Sequence, residues 1–259
     1  MESKKTLSKA IKTFRPNHES ICRMFCFPFA GGSASFYGEW STILSRHGIE
    51  VCAIQLPGRE DRIYEKLLTN VDELASEVVE AMADYQDKPF VFFGHSMGTL
   101  ICFEVARKLR AMNRKEASIL FISSGKAPQI SPRRILHNLP KDNFLMKIKE
   151  LGGTPDIIIE NRDLSELYLP ILRADFTLIE TYQYVESTPF QTKIVGYGGK
   201  MDKEVRYEDI VAWERHSLKP LPIKIYDGDH FYLRPYKESL LDDIVTHVKT
   251  DLHEYFPTK

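Results

Sequence analysis

The chain has 259 residues, enough for one large α/β domain or two small ones. Hydrophobic residues make up 43% and charged residues 27%, ordinary proportions for a soluble globular protein. A formal net charge of -1 gives no electrostatic case for nucleic acid or an anionic membrane, and no stretch approaches the ~18 apolar residues of a membrane span.

Residues 1–19 are polar and basic with Pro16 and read as a loose leader. Met1-Glu2-Ser3-Lys4-Lys5 lacks the apolar run of a signal peptide, so a cytoplasmic protein is expected. Ile21 to Phe27 is a first apolar run, closed by Pro28 and followed by Phe29-Ala30-Gly31-Gly32-Ser33. Phe36 to Arg46 reads as a short helix and Ile49 to Leu56 as a second strand, ended by Pro57-Gly58. The charge run Arg59-Glu60-Asp61-Arg62 reads by composition as a solvated loop. Val71 to Tyr85 has apolar residues at near-helical spacing, with Asp72-Glu73 in its first turn, which predicts an amphipathic helix. Phe90 to Phe93 is a third strand, Thr99 to Leu109 a helix, and Ser118 to Ile122 a fourth strand.

Between Lys126 and Pro189 the pattern changes. Six prolines punctuate the stretch, helices are expected at 141–151 and 163–182, and no parallel-strand signal appears. A connection of this length is expected to be a functional lid. Strand alternation resumes with Thr192 to Tyr197, a helix over 207–216, a strand at Pro222 to Tyr226 and a last helix from about Lys237 to Tyr255. The organisation expected is therefore a leader at 1–19, an α/β core at 20–125 and 190–259, and a helical lid insertion at 126–189. Strands alternating with helices imply a mostly parallel, doubly wound sheet, with ligand chemistry at the C-terminal ends of its strands.

The chemistry centres on Gly94-His95-Ser96-Met97-Gly98, set between a strand and a helix. A serine at the apex of so tight a turn is pushed out with its hydroxyl exposed over a helix N-terminus. This is the nucleophile elbow of the α/β-hydrolase fold, the fold class expected here. A serine hydroxyl needs a base, an orienter for that base, and donors for a developing oxyanion. In this architecture the acid and then the histidine follow the serine along the chain. Of eight histidines, only His95 and His230 lie just after predicted strands, and His95 is inside the elbow, so His230 is the base. The loop after the fourth strand, Ser123-Ser124-Gly125, carries no carboxylate. The loop Gly198-Gly199-Lys200-Met201-Asp202, read as a flexible turn, delivers Asp202 as the acid. Asp227 and Asp229 read as loop-stabilising or solvent-facing. Backbone N–H groups of Met97 and Ala30 are the expected oxyanion donors, with Phe29 the alternative if the loop is shifted by one. The four cysteines, Cys22, Cys26, Cys52 and Cys102, have no paired spacing and read as buried apolar thiols. No metal site is expected.

Six blocks together carry a family resemblance over about residues 22 to 247. They are Cys26-Phe27-Pro28-Phe29-Ala30-Gly31-Gly32-Ser33, Gln55-Leu56-Pro57-Gly58-Arg59-Glu60, Phe93-Gly94-His95-Ser96-Met97-Gly98, the run from Leu169 to Phe176, Tyr197-Gly198-Gly199 to Asp202, and Gly228-Asp229-His230-Phe231-Tyr232-Leu233. In this set the chain resembles the type II thioesterases of nonribosomal peptide and polyketide synthesis. Gly228-Asp229-His230 departs from the Gly-Gly-His usual in that family and leaves a second carboxylate beside the base.

The resemblance implies a stand-alone serine thioesterase that removes wrong or stalled acyl groups from the phosphopantetheine arm of acyl or peptidyl carrier domains, or releases products. It implies no metal or diffusible cofactor, since the pantetheine belongs to the substrate, and a monomer is expected. It implies that Arg59 is fixed near the site and that Arg173-Ala174-Asp175 lies in the lid. Lid positions Ile157, Ile158, Ile159 and Leu172 are candidates for an acyl pocket, with core packing the competing role. Lys126, Arg133 and Arg134 precede the lid and would suit an acidic carrier domain. Elbow and triad alone are equally compatible with a carboxylesterase or lipase, or with an acyltransferase. The intact set of Ser96, Asp202 and His230 argues against a non-catalytic binding protein on the same fold.

Overall fold

The computed structural model describes residues 9–256. Its strands and helices run β1 (Ile11–Thr13), β2 (Cys22–Phe27), α1 (Gly38–Leu44), β3 (Ile49–Ile54), α2 (Val71–Ala81), β4 (Phe90–His95), α3 (Met97–Ala111), β5 (Ile119–Ser123), α4 (Lys141–Leu151), α5 (Asp156–Glu160), α6 (Arg162–Glu180), β6 (Lys193–Gly199), α7 (Tyr207–Val211), β7 (Ile223–Tyr226) and α8 (Lys237–Asp251). The strands form one sheet in the order β1-β3-β2-β4-β5-β6-β7. All neighbours are parallel except β1, which pairs antiparallel with β3. The chain leaves β2 for β3 on one side and returns to β4 on the other. The order reverses there, and in such sheets the crevice beyond that point receives the ligand.

Period-two alternation divides each central strand between two cores. Phe25 and Phe27 of β2, with Phe90 and Phe92 of β4, pack on one face under α2 and α3. Met24 and Cys26, with Val91 and Phe93, pack on the other face against Trp40 of α1 and Leu240, Leu241 and Ile244 of α8. Both faces being buried explains why these strands read as continuous apolar runs. Local signals set the helix ends. Asn70 Oδ1 accepts from the amides of Asp72 and Glu73 at 2.8 and 3.1 Å and starts α2, and Asn161 Oδ1 accepts from the Leu164 amide at 3.0 Å and starts α6.

Two sequence expectations change. Residues 1–8 lie outside the described residues, but those that follow are not a loose leader. Ile11 is buried in the first core, β1 closes the sheet edge, and the Asn17 amide donates to Glu50 Oε1 at 2.8 Å. Gly198 and Gly199 are not a flexible turn either. They end β6, paired with Ile225 and Tyr226 of β7. A Cβ on Gly199 would stand 2.1 Å from the carbonyl oxygen of Asp229, so the missing side chain lets the two loops beyond β6 and β7 touch. Between β5 and β6, α4 and α6 enclose a third small core of Leu136, Phe144, Ile148 and Leu172. No helix among the described residues is long and apolar enough to cross a membrane.

Candidate active site

Ser96 joins β4 to α3 with φ 53° and ψ -116°, a backbone state that a side chain enters only under constraint. Two contacts impose it. The Ser96 amide donates to the Ser123 carbonyl at 2.9 Å, and its own carbonyl accepts from the Thr99 amide at 3.0 Å and from Thr99 Oγ1 at 2.7 Å. Gly98 completes the turn, because a Cβ there would lie 2.1 Å from the Phe27 carbonyl oxygen. The turn thus presses directly on the end of β2.

Asp202 and His230 meet across the contact that Gly199 permits. His230 Nδ1–H donates to Asp202 Oδ2 at 2.8 Å. Asp202 Oδ1 accepts from the amides of Glu204 and Val205 at 2.8 and 3.0 Å. The Asp202 side chain is 0% exposed and that of His230 is 11% exposed. Burial raises the Asp202 pKa, but the hydrogen bond and charge of His230, with the two amides, outweigh it and hold the carboxyl below its ordinary range. With Nδ1 committed as donor, Nε2 of neutral His230 is the free lone pair. Asp229 is exposed and its Oδ1 accepts from the Phe231 amide at 2.8 Å, a turn contact. The neighbouring carboxylate therefore does not hold the imidazole.

Ser96 and His230 line one cavity of about 480 Å3 together with Ala30 and Met97. Met97 is the first residue of α3, so its amide has no acceptor within the helix. Among the described residues, neither the Met97 nor the Ala30 N–H donates to a protein acceptor. Much of the rest of the wall comes from the segment between β5 and β6, including Leu136, Ile148, Leu172, Phe176 and Ile179. Leu172 thus reaches the cavity. Ile157, Ile158 and Ile159 do not line it: Ile157 is exposed, and Ile159 packs on the small core of α4 and α6. Glu180, one of two carboxylates in the wall with Glu204, is occupied by the amides of Leu136 and His137 and by His137 Nδ1.

The largest surprise relative to local sequence is Arg59. It is buried, as is Arg62, so the charge run is not a solvated loop. Arg59 Nη1 and Nη2 donate to Asp175 Oδ2 and Oδ1 at 2.8 and 2.7 Å, and Nη1 also donates to the Gly32 carbonyl at 3.0 Å. Asp175 Oδ2 accepts from the Gly31 amide at 2.7 Å. The bidentate ion pair thus ties the loop after β3 to α6, and through Gly31 and Gly32 both partners hold the loop after β2, which carries Ala30. Breaking a buried pair leaves the remaining charge uncompensated. Arg59→Met is expected to cost about 3–5 kcal/mol by chemical denaturation, with the double variant Arg59→Met, Asp175→Leu recovering part of the loss. Equal stabilities for wild type and Arg59→Met would contradict this.

Three further groups surround the site. His95 is buried; its Nδ1 lies 2.8 Å from Ser123 Oγ, which lies 2.6 Å from Tyr232 Oη. Burial, with the nearby His230 and Arg234, pushes the His95 pKa well down, so it is a neutral packing group within the turn. Arg133 forks onto Asp209 at 2.7 and 2.8 Å, and Arg134 pairs with Glu204, so both cations are already matched within the chain. Lys126 lines the cavity, and burial lowers its pKa. Cys22, Cys26, Cys52 and Cys102 are all buried free thiols.

The arrangement is a serine at a strained turn, an imidazole held by a carboxylate and two amides without a protein acceptor, all but the carboxylate lining one cavity, a constellation suited to acyl transfer. Known proteins match this chain over most of its length. The chain is 40% identical over 227 residues to the gramicidin S biosynthesis protein GrsT of Aneurinibacillus migulanus, covering 87% of this chain and 88% of that protein. It is 35% identical to the thioesterase PikA5 of Streptomyces venezuelae over 239 residues, 92% of this chain and 85% of that one. The structure of the type II thioesterase BorB from the borrelidin biosynthetic cluster superposes with a TM-score of 0.84 at 31% identity, covering 92% and 97% of the two chains. Residues 22–252 match the thioesterase domain family, and with the α/β-hydrolase architecture this places the chain in that family as a thioester hydrolase.

Proposed function

We propose that this enzyme clears acyl groups from the phosphopantetheine arm of acyl or peptidyl carrier domains in a nonribosomal peptide or polyketide pathway, using Ser96 as nucleophile, His230 as base and Asp202 as the acid that orients it. The observation that carries the reading is the 2.8 Å contact of His230 Nδ1 with Asp202, at the rim of the cavity that Ser96 also lines. The kinship with proteins of gramicidin S and borrelidin biosynthesis supports the substrate class.

In this mechanism Ser96 Oγ attacks the thioester carbonyl while His230 Nε2 takes its proton. The oxyanion of the tetrahedral intermediate is met by the amides of Met97 and Ala30. The C–S bond then breaks, and His230 returns the proton to the departing sulfur, leaving an acyl ester on Ser96. Water attacks that ester with His230 again as base. The carboxylic acid departs and the serine is restored. No step calls for a metal or a diffusible cofactor. The segment of α4 to α6 serves as a lid that admits the pantetheine arm and shelters the ester from bulk water.

The test offers one acyl group on a carrier domain, on coenzyme A, on N-acetylcysteamine and as a p-nitrophenyl ester. The carrier-bound thioester is expected to show a kcat/KM at least about tenfold above the others, since the protein partner adds binding that small thioesters lack. A preference for the oxygen ester would replace this reading with that of a carboxylesterase.

A further inference from the structure

Two hollows in this protein share a wall. The cavity at Ser96 runs along the start of α3, with Met97, Thr99 and Leu100 in its lining, and reaches Tyr182 and Gln183. A second cleft, of about 690 Å3, lies at the other end of the same helix, with Glu104, Arg107 and Ala111 along one side and Val71 and Leu178 among its apolar lining. Tyr182 and Gln183 line that cleft as well, and they are the two residues common to both.

Tyr182 is held as a stopper rather than as part of a rigid element. Its hydroxyl donates to Glu104 Oε1 at 2.5 Å, and Glu104 in turn accepts from Arg107 Nη1 at 2.8 Å. From Tyr182 to Thr188 the chain follows no helix or strand. Among the described residues, no backbone N–H in that stretch donates to a backbone carbonyl. A segment secured by side-chain contacts alone opens at lower cost than a helix or strand. The latch at Glu104 stands eight residues along from Ser96, about 12 Å along the axis of α3 at 1.5 Å per residue. A hexanoyl chain ends within that distance, and a tetradecanoyl chain overruns it.

We propose that Tyr182 is the end stop of the acyl channel, so that it sets the longest acyl group the enzyme accepts, and that displacing it joins the cavity and the second cleft into one longer channel. The proposal rests on the reading of the Ser96 cavity as an acyl-thioester site. Beyond the stop, Val71, Leu178 and the aliphatic stems of Arg107 and Lys108 offer apolar surface to a longer chain, while the ion pairs of Arg107 with Glu104 and of Lys108 with Asp72 keep the charged ends matched.

The test measures kcat/KM for acetyl, hexanoyl, decanoyl and tetradecanoyl thioesters of N-acetylcysteamine. Wild type is expected to fall off between hexanoyl and tetradecanoyl. In Tyr182→Ala, each methylene newly taken out of water is worth roughly fourfold, so the ratio of tetradecanoyl to hexanoyl should rise about tenfold or more. Tyr182→Leu, which keeps an apolar side chain in the wall, should move the ratio in the same direction and covers the case of a poorly folded alanine variant. Tyr182→Phe retains the ring but loses the hydroxyl latch to Glu104, and should move the ratio in the same direction by less than Tyr182→Ala. Adding Ala111→Trp to Tyr182→Ala fills the second cleft and should bring the short cut-off back. A ratio unchanged in both Tyr182→Ala and Tyr182→Leu, or one that Ala111→Trp does not reverse, overturns the end stop while wild-type turnover leaves the thioesterase reading standing. Failure of wild type to hydrolyse these thioesters and the same acyl groups on a carrier domain overturns both.

Discussion

Replacing Ser96 by alanine should lower kcat on an acyl thioester by at least about 10^4-fold, the scale seen when a serine of this kind is removed from an assembled triad. The loss is large because the remaining groups act through the nucleophile. With no Oγ, His230 has no serine proton to take, and Asp202 orients a base with nothing to activate. What survives is the contribution of the Met97 and Ala30 amides and of the cavity, which can still assist direct attack by water. A thioester is already activated, so its uncatalysed hydrolysis sets a floor that limits the observable loss. Intact-protein mass spectrometry supplies an independent readout. Wild type mixed rapidly with substrate should gain the mass of one acyl group, and Ser96→Ala should gain none. Turnover in the variant within tenfold of wild type would remove Ser96 from the mechanism.

Asp202→Asn should cost about 10^4-fold in kcat, and Asp229→Asn only a few-fold. The reason lies in the two amides that bind Asp202 Oδ1. In an asparagine variant those amides still demand an oxygen, so the side-chain NH2 is turned towards His230. It would then donate to Nδ1 and place the imidazole proton on Nε2, the atom that must accept from serine. Asp229 makes its own contact to the Phe231 amide and can lose its charge without touching the base. The pH dependence follows from the depressed Asp202 pKa. A carboxyl with a folded pKa below its ordinary value of 3.8 stabilises the fold at every pH above that value and loses its contribution as pH falls through the folded pKa. The stability gap between wild type and Asp202→Asn should therefore stay constant through neutral pH and close only below about pH 4. Comparable losses in the two variants would mean that the acid has been assigned to the wrong loop.

What could be read ahead of the structure depended on how local its cause is. The turn at Ser96 is written into five consecutive residues, because its sterics act between neighbours. Asp202 followed by elimination among loops, since the order of serine, acid and histidine leaves few candidates. The strand Ile11–Thr13 was out of reach. It is three residues long, only Ile11 is well buried, and its stability comes from pairing with β3 rather than from its own pattern. The ion pair of Arg59 with Asp175 spans 116 positions, and no periodicity links residues that far apart. By composition Arg59 belongs to a polar run, and only the resemblance to a family suggested a fixed place for it. The glycines at 198 and 199 were legible as glycines but not as to purpose. A missing side chain reads equally as freedom to turn or as room for a neighbour, and here the neighbour is the carbonyl of Asp229.

The four buried cysteines bear on the traffic of sulfur through this enzyme. Every turnover sets free a thiol at the mouth of the cavity, and the incoming thioester could exchange its acyl group with any accessible thiolate. Burial pushes the Cys22 thiol up to about 12 and raises Cys26, Cys52 and Cys102 as well, so none presents a thiolate near neutral pH. An acyl group delivered here has no reactive thiolate on the protein to which it could be misplaced, and the released thiol has none with which to form a mixed disulfide. The same seclusion makes the folded chain silent towards thiol-reactive dyes, so colour developed during a reaction counts product alone.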